Sequence, residues 1–331
     1  MLHARLEEQE IRRIVGVSGA GNLVLDGVAP LNDGSHRCLY FTNHELSSAD
    51  RASLAALKDC LVIAPLASGL ASALGSCRVL EVADPRAAAA NVLDFIEANH
   101  RQRAWIETGS ISKEATVSPL ASVDTRADIA PGAVIEPFCT IGPDVRVGRG
   151  SIVRSGARLF PRVIIGEAST IGANTVIGHP GYGFVRDASG HKSRIPHLGG
   201  VLIGSHVDIG ALVVVQSGTL APTEIEDHAK IDDNVEIGHN ARIGAGASVT
   251  GGVVVGGSAV IGSESWIGIN ASIRDGRRVG ARSLVGMNAS VQDDVPEASV
   301  ARAPGSPVES RPADDDFTAI GFARRAKKPR G

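Results

Sequence analysis

The sequence predicts a mainly β chain, a parallel β-helix of hexapeptides behind a small α/β unit, on three observations. From Ile111 every sixth residue is Ile, Val or Leu, through Val117, Val123, Ile129, Ile135, Ile141, Val147, Val153, Leu159, Ile165 and Ile171 to Ile177. The register returns at Ile203, Ile209 and Val215, shifts by four residues, and runs from Ile225 through Ile231, Ile237, Ile243, Val249, Val255, Ile261, Ile267, Ile273, Val279 and Val285 to Val291. The residue after the aliphatic is often Gly, as at Gly142, Gly148, Gly172, Gly238 and Gly262, where a corner is expected. The residue four after it is small, as at Cys139, Ala247, Ala259, Ser265 and Ala289.

A period of six fits neither a lone helix nor one flat strand. It fits a triangular coil whose three short strands each point one large and one small side chain inward. Three hexads make a coil of eighteen residues, so the repeat builds about nine coils spaced by roughly 4.8 Å. Each coil pairs only with its neighbours above and below.

Residues 1–105 lack the register and read as a small α/β unit. Leu6 to Val15 and Pro85 to Asn99 have helical spacing; Leu23 to Val28, Leu39 to Thr42 and Cys60 to Ala64 read as strands. The β-helix is expected over 106–292, interrupted by an insertion at 178–202 and a smaller bulge from Gln216 to Glu224. Excursions from a solenoid project on one face and tend to line a binding site. Residues 293–331 form a C-terminal extension that ends in the basic stretch Phe317 to Arg330.

Composition excludes several classes. No apolar run is long enough to cross a membrane, and the charged start is not a signal peptide, which places the chain in the cytoplasm. A net charge of −3 gives no reason to expect nucleic acid. The four cysteines, Cys38, Cys60, Cys77 and Cys139, lack metal spacing and read as packing residues. No dinucleotide or P-loop pattern occurs among the thirty-nine glycines.

Winding by eighteens allows neighbours to be named. His239 is expected beneath Gly257 and two coils beneath Asp275, with Ser217 below it and Asp232 on the adjacent face. A histidine, a carboxylate and a backbone N–H facing one crevice can run acyl transfer: the imidazole takes a proton from an attacking amine and the amide holds the oxyanion. The alternative for such a histidine is a solvated side chain on a corner.

The block Gly27-Val28-Ala29-Pro30-Leu31, then Leu39-Tyr40-Phe41-Thr42-Asn43, the insertion with Gly181-Tyr182-Gly183-Phe184 and Arg194-Ile195-Pro196-His197-Leu198-Gly199, and the stretch Ile231-Asp232 to Ile237-Gly238-His239-Asn240 together resemble the UDP-3-O-acylglucosamine N-acyltransferase family of lipid A biosynthesis. The resemblance covers residues 10 to 305. It implies a left-handed winding, a homotrimer with sites between neighbouring prisms, a UDP-linked amino sugar as acceptor, and acyl carrier protein as donor with no bound cofactor or metal. It further implies His239 as general base, Asp232 as its carboxylate partner and Gly257 as oxyanion donor. By the same resemblance residues 1–105 are a nucleotide-binding domain with Tyr40 and Asn43 in its base pocket, and Tyr182, Phe184, His197 and Asn240 are the substrate-wall candidates.

The chain departs from the family where Gln216-Ser217-Gly218 replaces Asp-Arg-Gly, where Gly276 replaces a second histidine, and where Lys192 and Leu46 replace a Trp and an aromatic. Other readings stay open. The ending Val285 to Val291, followed by Pro304-Gly305-Ser306-Pro307, is similar to small hexapeptide acetyltransferases and implies a coenzyme A thioester as donor. A zinc-dependent hydratase would need several histidines from adjacent coils. A catalytically silent sugar-nucleotide binding protein would account for the lost charges.

Overall fold

The computed structural model describes residues 2–31, 33–43, 45–100, 109–186 and 189–304. The N-terminal unit runs β1 (Leu2–Glu7), α1 (Glu8–Val15), β2 (Val24–Val28), β3 (Cys38–Phe41), α2 (Ser48–Ala55), β4 (Leu61–Pro65), β5 (Arg78–Val82) and α3 (Pro85–His100). Its sheet has the order β1-β2-β3-β4-β5, with β1 antiparallel to β2 and the remaining pairs parallel. Alternation sorts β3 and β4 between two cores. Leu39, Leu61 and Ile63 face Ile11 of α1 and Leu93 and Ile96 of α3, while Cys38, Tyr40 and Val62 face Leu54 of α2. Buried Glu8 ties the unit together, accepting from Arg12 at 2.9 Å, Arg78 at 2.7 Å and the Leu23 amide at 3.2 Å.

Three elements were not expected here. Residues 2–7 form a strand, its in-out alternation of Leu2, Ala4 and Leu6 outweighing the helical spacing that begins inside it. The strand Arg78–Val82 and the helix Ser48–Ala55 complete the three; the latter is capped by Ser47, whose hydroxyl accepts from the Asp50 amide. The boundary expected at residue 105 falls outside the described residues.

Beyond it stands the predicted solenoid, a left-handed parallel β-helix of three sheets with nine, eight and ten strands among the described residues. Ile141 pairs with Leu159 one coil on, and pairing bridges both interruptions, with Ile177 beside Val215 and Val215 beside Ile237. The hexad aliphatics and the small residues fill one continuous buried column, Cys139 among them. All four cysteines are buried. The prism runs further than residue 292, since Val300–Ala301 pairs with Leu284–Val285.

The corners turn at a different residue from the one expected. Left-handed backbone falls three residues after the aliphatic, at Asn174, Asn234, Asn240, Asn270 and Asn288, where asparagine tolerates a positive φ. The glycine directly after the aliphatic answers a different demand. A Cβ on Gly172 would lie 2.1 Å from the Gly210 carbonyl oxygen, so stacking of the next coil rather than the turn excludes a side chain there. Within the insertion, Phe184–Arg186 and Lys192–Arg194 form an antiparallel hairpin, and Ile195 and Leu198 pack into the N-terminal core.

Candidate active site

The strand Glu236–Ile237 brings His239 into place. Ile237 is buried in the column and Asn240 turns the corner with a φ of 58°, so His239 leaves the prism surface between them. Its backbone N–H donates to the Gln216 side-chain oxygen at 3.2 Å, and the Gln216 amide donates to Glu236 at 3.1 Å. The predicted stacking is present. A Cβ on Gly257 would come within 2.9 Å of both Cε1 and Nε2 of His239, so the imidazole lies against this bare glycine. Ser217 is buried one coil below, and one coil above Gly257 lies Asp275.

The insertion supplies a second imidazole. His197 packs edge-on against His239, ring centroids 4.8 Å apart with 60° between the planes. Its Nδ1 lies 2.8 Å from the Ile195 carbonyl oxygen, which can only accept, so Nδ1 carries the proton and Nε2 the lone pair. The loop at Gly181 closes over both rings: a Cβ there would sit 2.6 Å from His197 Nε2 and 2.8 Å from His239 Cβ. Arg194 anchors the loop by donating to the Gly181 carbonyl at 2.7 Å, and its guanidinium covers Phe184 at 4.8 Å. A cavity of about 430 Å³ lies between the start of β1, the end of α3 and the prism, and reaches His197 and Ser217.

Burial pushes the His197 imidazole down to about 4, with proximity to His239 adding to the effect. Burial also lowers His239, opposed by the Asp275 carboxylate and reinforced by Arg86. Both rings are therefore neutral at neutral pH. A histidine depressed on folding stabilises the fold fully above its unfolded pKa of about 6.5 and loses that contribution as pH falls toward 4; for His197 the loss amounts to about 3 kcal/mol. Urea unfolding should show the gap in stability between wild type and His197→Gln shrinking from about pH 7 to about pH 4.5. A constant gap would contradict the burial of this neutral ring.

Several expected site residues stand elsewhere. Asp232 is exposed, and its oxygens accept from the Asp233 amide at 2.8 Å and the Gly251 amide at 3.0 Å. The carboxylate acting on His239 is Asp275, which lies in the same column by the eighteen-residue step. The Gly257 N–H, expected to be open to an oxyanion, donates to Asp275 at 2.9 Å. Tyr40 is fully buried and donates to the Ser35 carbonyl at 2.5 Å, so it presents no face for a base to stack on; Leu46 shares its core. Asn43 is exposed just past β3, and Tyr182 is 78% exposed beside Phe184. Among the described residues no group of three or more His, Cys, Asp or Glu has a metal-holding arrangement, and no helix is long and apolar enough to cross a membrane. The basic C-terminal stretch lies outside the described residues.

Residues 126–161 and 222–257 match the bacterial transferase hexapeptide family, and the second segment contains both His239 and Gly257. The chain is 34% identical over 213 residues to the UDP-3-O-acylglucosamine N-acyltransferase of Paracidovorax citrulli, a match covering 64% of this chain and 60% of that one. To the protein of that name from Pseudomonas entomophila it is 32% identical, over 65% of this chain and 61% of the relative. The chain thus spans less than two thirds of the length of these relatives. Among solved structures, the UDP-N-acetylglucosamine acyltransferase of Francisella novicida is 26% identical, with a TM-score of 0.53 over 57% of this chain and 67% of that one.

Proposed function

We propose that this chain is an N-acyltransferase that moves an acyl chain from a carrier thioester to the amine of a UDP-linked glucosamine derivative, one that carries a 3-O-acyl group in the relatives' named substrate. The observation that supports it most directly is the stacking of a neutral, half-buried His239 on Gly257 with the Asp275 carboxylate at hand. The acceptor and the reaction type are carried over from the names of the relatives.

In this reading the amine nitrogen attacks the thioester carbonyl and His239 takes the proton as the N–C bond forms. The C–S bond then breaks, and the leaving thiolate recovers the proton. A neutral imidazole is the form that can accept a proton, which suits the depressed His239. Asp275 steadies the charged ring. The Gly257 amide is the backbone donor next to the imidazole, and it meets the oxyanion once that oxygen takes the place of the Asp275 carboxylate. The His197 ring and the loop at Gly181 form one wall of the site. Acyl carrier protein is the proposed donor and three copies of the chain the proposed assembly. The outward face of the ten-stranded sheet carries Trp266, Leu284 and Val300 stacked one per coil and 41–55% exposed, an apolar strip of the kind a second prism covers.

Incubating the protein with acyl carrier protein thioesters and acetyl coenzyme A in parallel, each with a UDP-amino sugar, tests the reading through product masses. The expected product carries one long acyl chain as an alkali-stable amide, from the carrier thioester. Transfer from acetyl coenzyme A alone would make the protein an acetyltransferase; binding of the sugar nucleotide with no product from either donor would reject acyl transfer.

A further inference from the structure

The corner that presents His239 also fixes where its proton sits. Asn240 follows His239 in the left-handed conformation, and its side chain lies 2.8 Å from His239 Nδ1 through the Nδ2 atom. An asparagine amide can be turned either way round, so the partners must decide its orientation. They do so here. The Thr219 backbone N–H, which can only donate, lies 2.7 Å from Oδ1, and Nδ2 lies 3.1 Å from the Thr219 hydroxyl, which can accept. The Asn240 backbone N–H in turn donates to Thr223 Oγ1 at 2.9 Å. Both threonines belong to the bulge of residues 216–224, which thus holds Asn240 by its backbone through Thr223 and by its side chain through Thr219, and so aims an N–H at the imidazole.

We propose that Asn240 is a positioning residue that sets the tautomer of His239: by donating to Nδ1 it holds the free protein with the lone pair on Nδ1 and the proton on Nε2, the atom facing Gly257. This deepens the proposed acyl transfer, for which His239 is needed as a base at Nε2. A base at that atom needs the other tautomer, with Nδ1–H pointing at an acceptor. Turning the carboxamide over would provide Oδ1 as that acceptor, at the loss of the hydrogen bond from the Thr219 N–H. The donated bond also opposes a second proton on the ring, because imidazolium would bring two donors face to face. Asn240, expected from sequence to touch substrate, has its carboxamide oxygen and both N–H groups engaged within the protein.

Nitrogen NMR of the histidine-labelled full chain tests this, with the His239 signals assigned by their loss in His239→Ala. Above neutral pH, wild type should show Nδ1 in the unprotonated range and Nε2 in the N–H range. Asn240→Asp keeps the shape, tolerates the left-handed backbone and still accepts from Thr219, but offers Nδ1 only an acceptor. It should reverse the two resonances and raise the His239 titration midpoint by about one unit or more, a tenfold change in proton affinity. Where acyl transfer is measurable, the acid limb of its pH profile should move up in parallel. An Nδ1–H tautomer in wild type, or a tautomer unchanged in Asn240→Asp, overturns the proposal whatever the activity. Absence of acyl transfer with the expected resonances would reject the function proposed above and leave the tautomer assignment standing.

Discussion

Replacing His239 with Ala should lower the rate of acyl transfer by about 10²–10⁴-fold, the usual worth of a positioned general base. The expectation is sharp because the side chain has little structural duty. His239 is half-buried on the outside of a corner, whereas the column that holds the prism is made by Ile237, Val255 and Ile273 behind it. Its backbone N–H to Gln216, which helps to set the corner, survives the substitution. The loss should therefore appear in kcat with the circular dichroism spectrum and the melting transition nearly unchanged. A rate within a factor of about five of wild type would remove His239 from the chemistry.

The second large effect is expected at Gly257, which has no positive φ and so no backbone need for glycine. What excludes a side chain is the imidazole, because a methyl group would stand 2.9 Å from both Cε1 and Nε2. Gly257→Ala should displace the ring by a fraction of an ångström to an ångström. Displacement on that scale costs up to about 10²-fold in rate when a reacting group leaves its line of attack. The fold should persist, since the ring can swing outward where a backbone could not. Single-turnover acylation measured with the melting temperature separates the two: a slow step in a protein of normal stability is the expected result. Full activity would mean that the imidazole does not work from its place against Gly257.

The sequence made the prism legible because the aliphatic spacing is a packing rule rather than a propensity. Each Ile or Val fills one layer of a narrow column, so the column is written at every sixth residue and survives both interruptions. The same winding made His239, Gly257, Asp275 and Ser217 legible as one column. The partners arriving from outside the repeat were not legible. His197, Arg194 and the Gly181 loop reach His239 from an insertion whose path no period describes, and Arg86 approaches from the N-terminal unit. Thr219 was hidden in a bulge for the same reason. Asp232 illustrates the limit of counting. The step of eighteen identified its face of the prism, but not that two backbone amides would occupy its oxygens. Tyr40 shows the limit of carrying a role across by position, since β3 turns that ring into the core of the N-terminal sheet.

The central claim is that winding by eighteens builds an amine-acylating site around His239. The mass of the sugar nucleotide after reaction with an acyl carrier thioester, followed for wild type and His239→Ala side by side, tests it most directly. The account predicts a gain of one acyl group as an alkali-stable amide with wild type, and a gain slowed at least a hundredfold by the substitution. An acyl group found on a hydroxyl as an alkali-labile ester, or an amide formed equally fast without the imidazole, would contradict it.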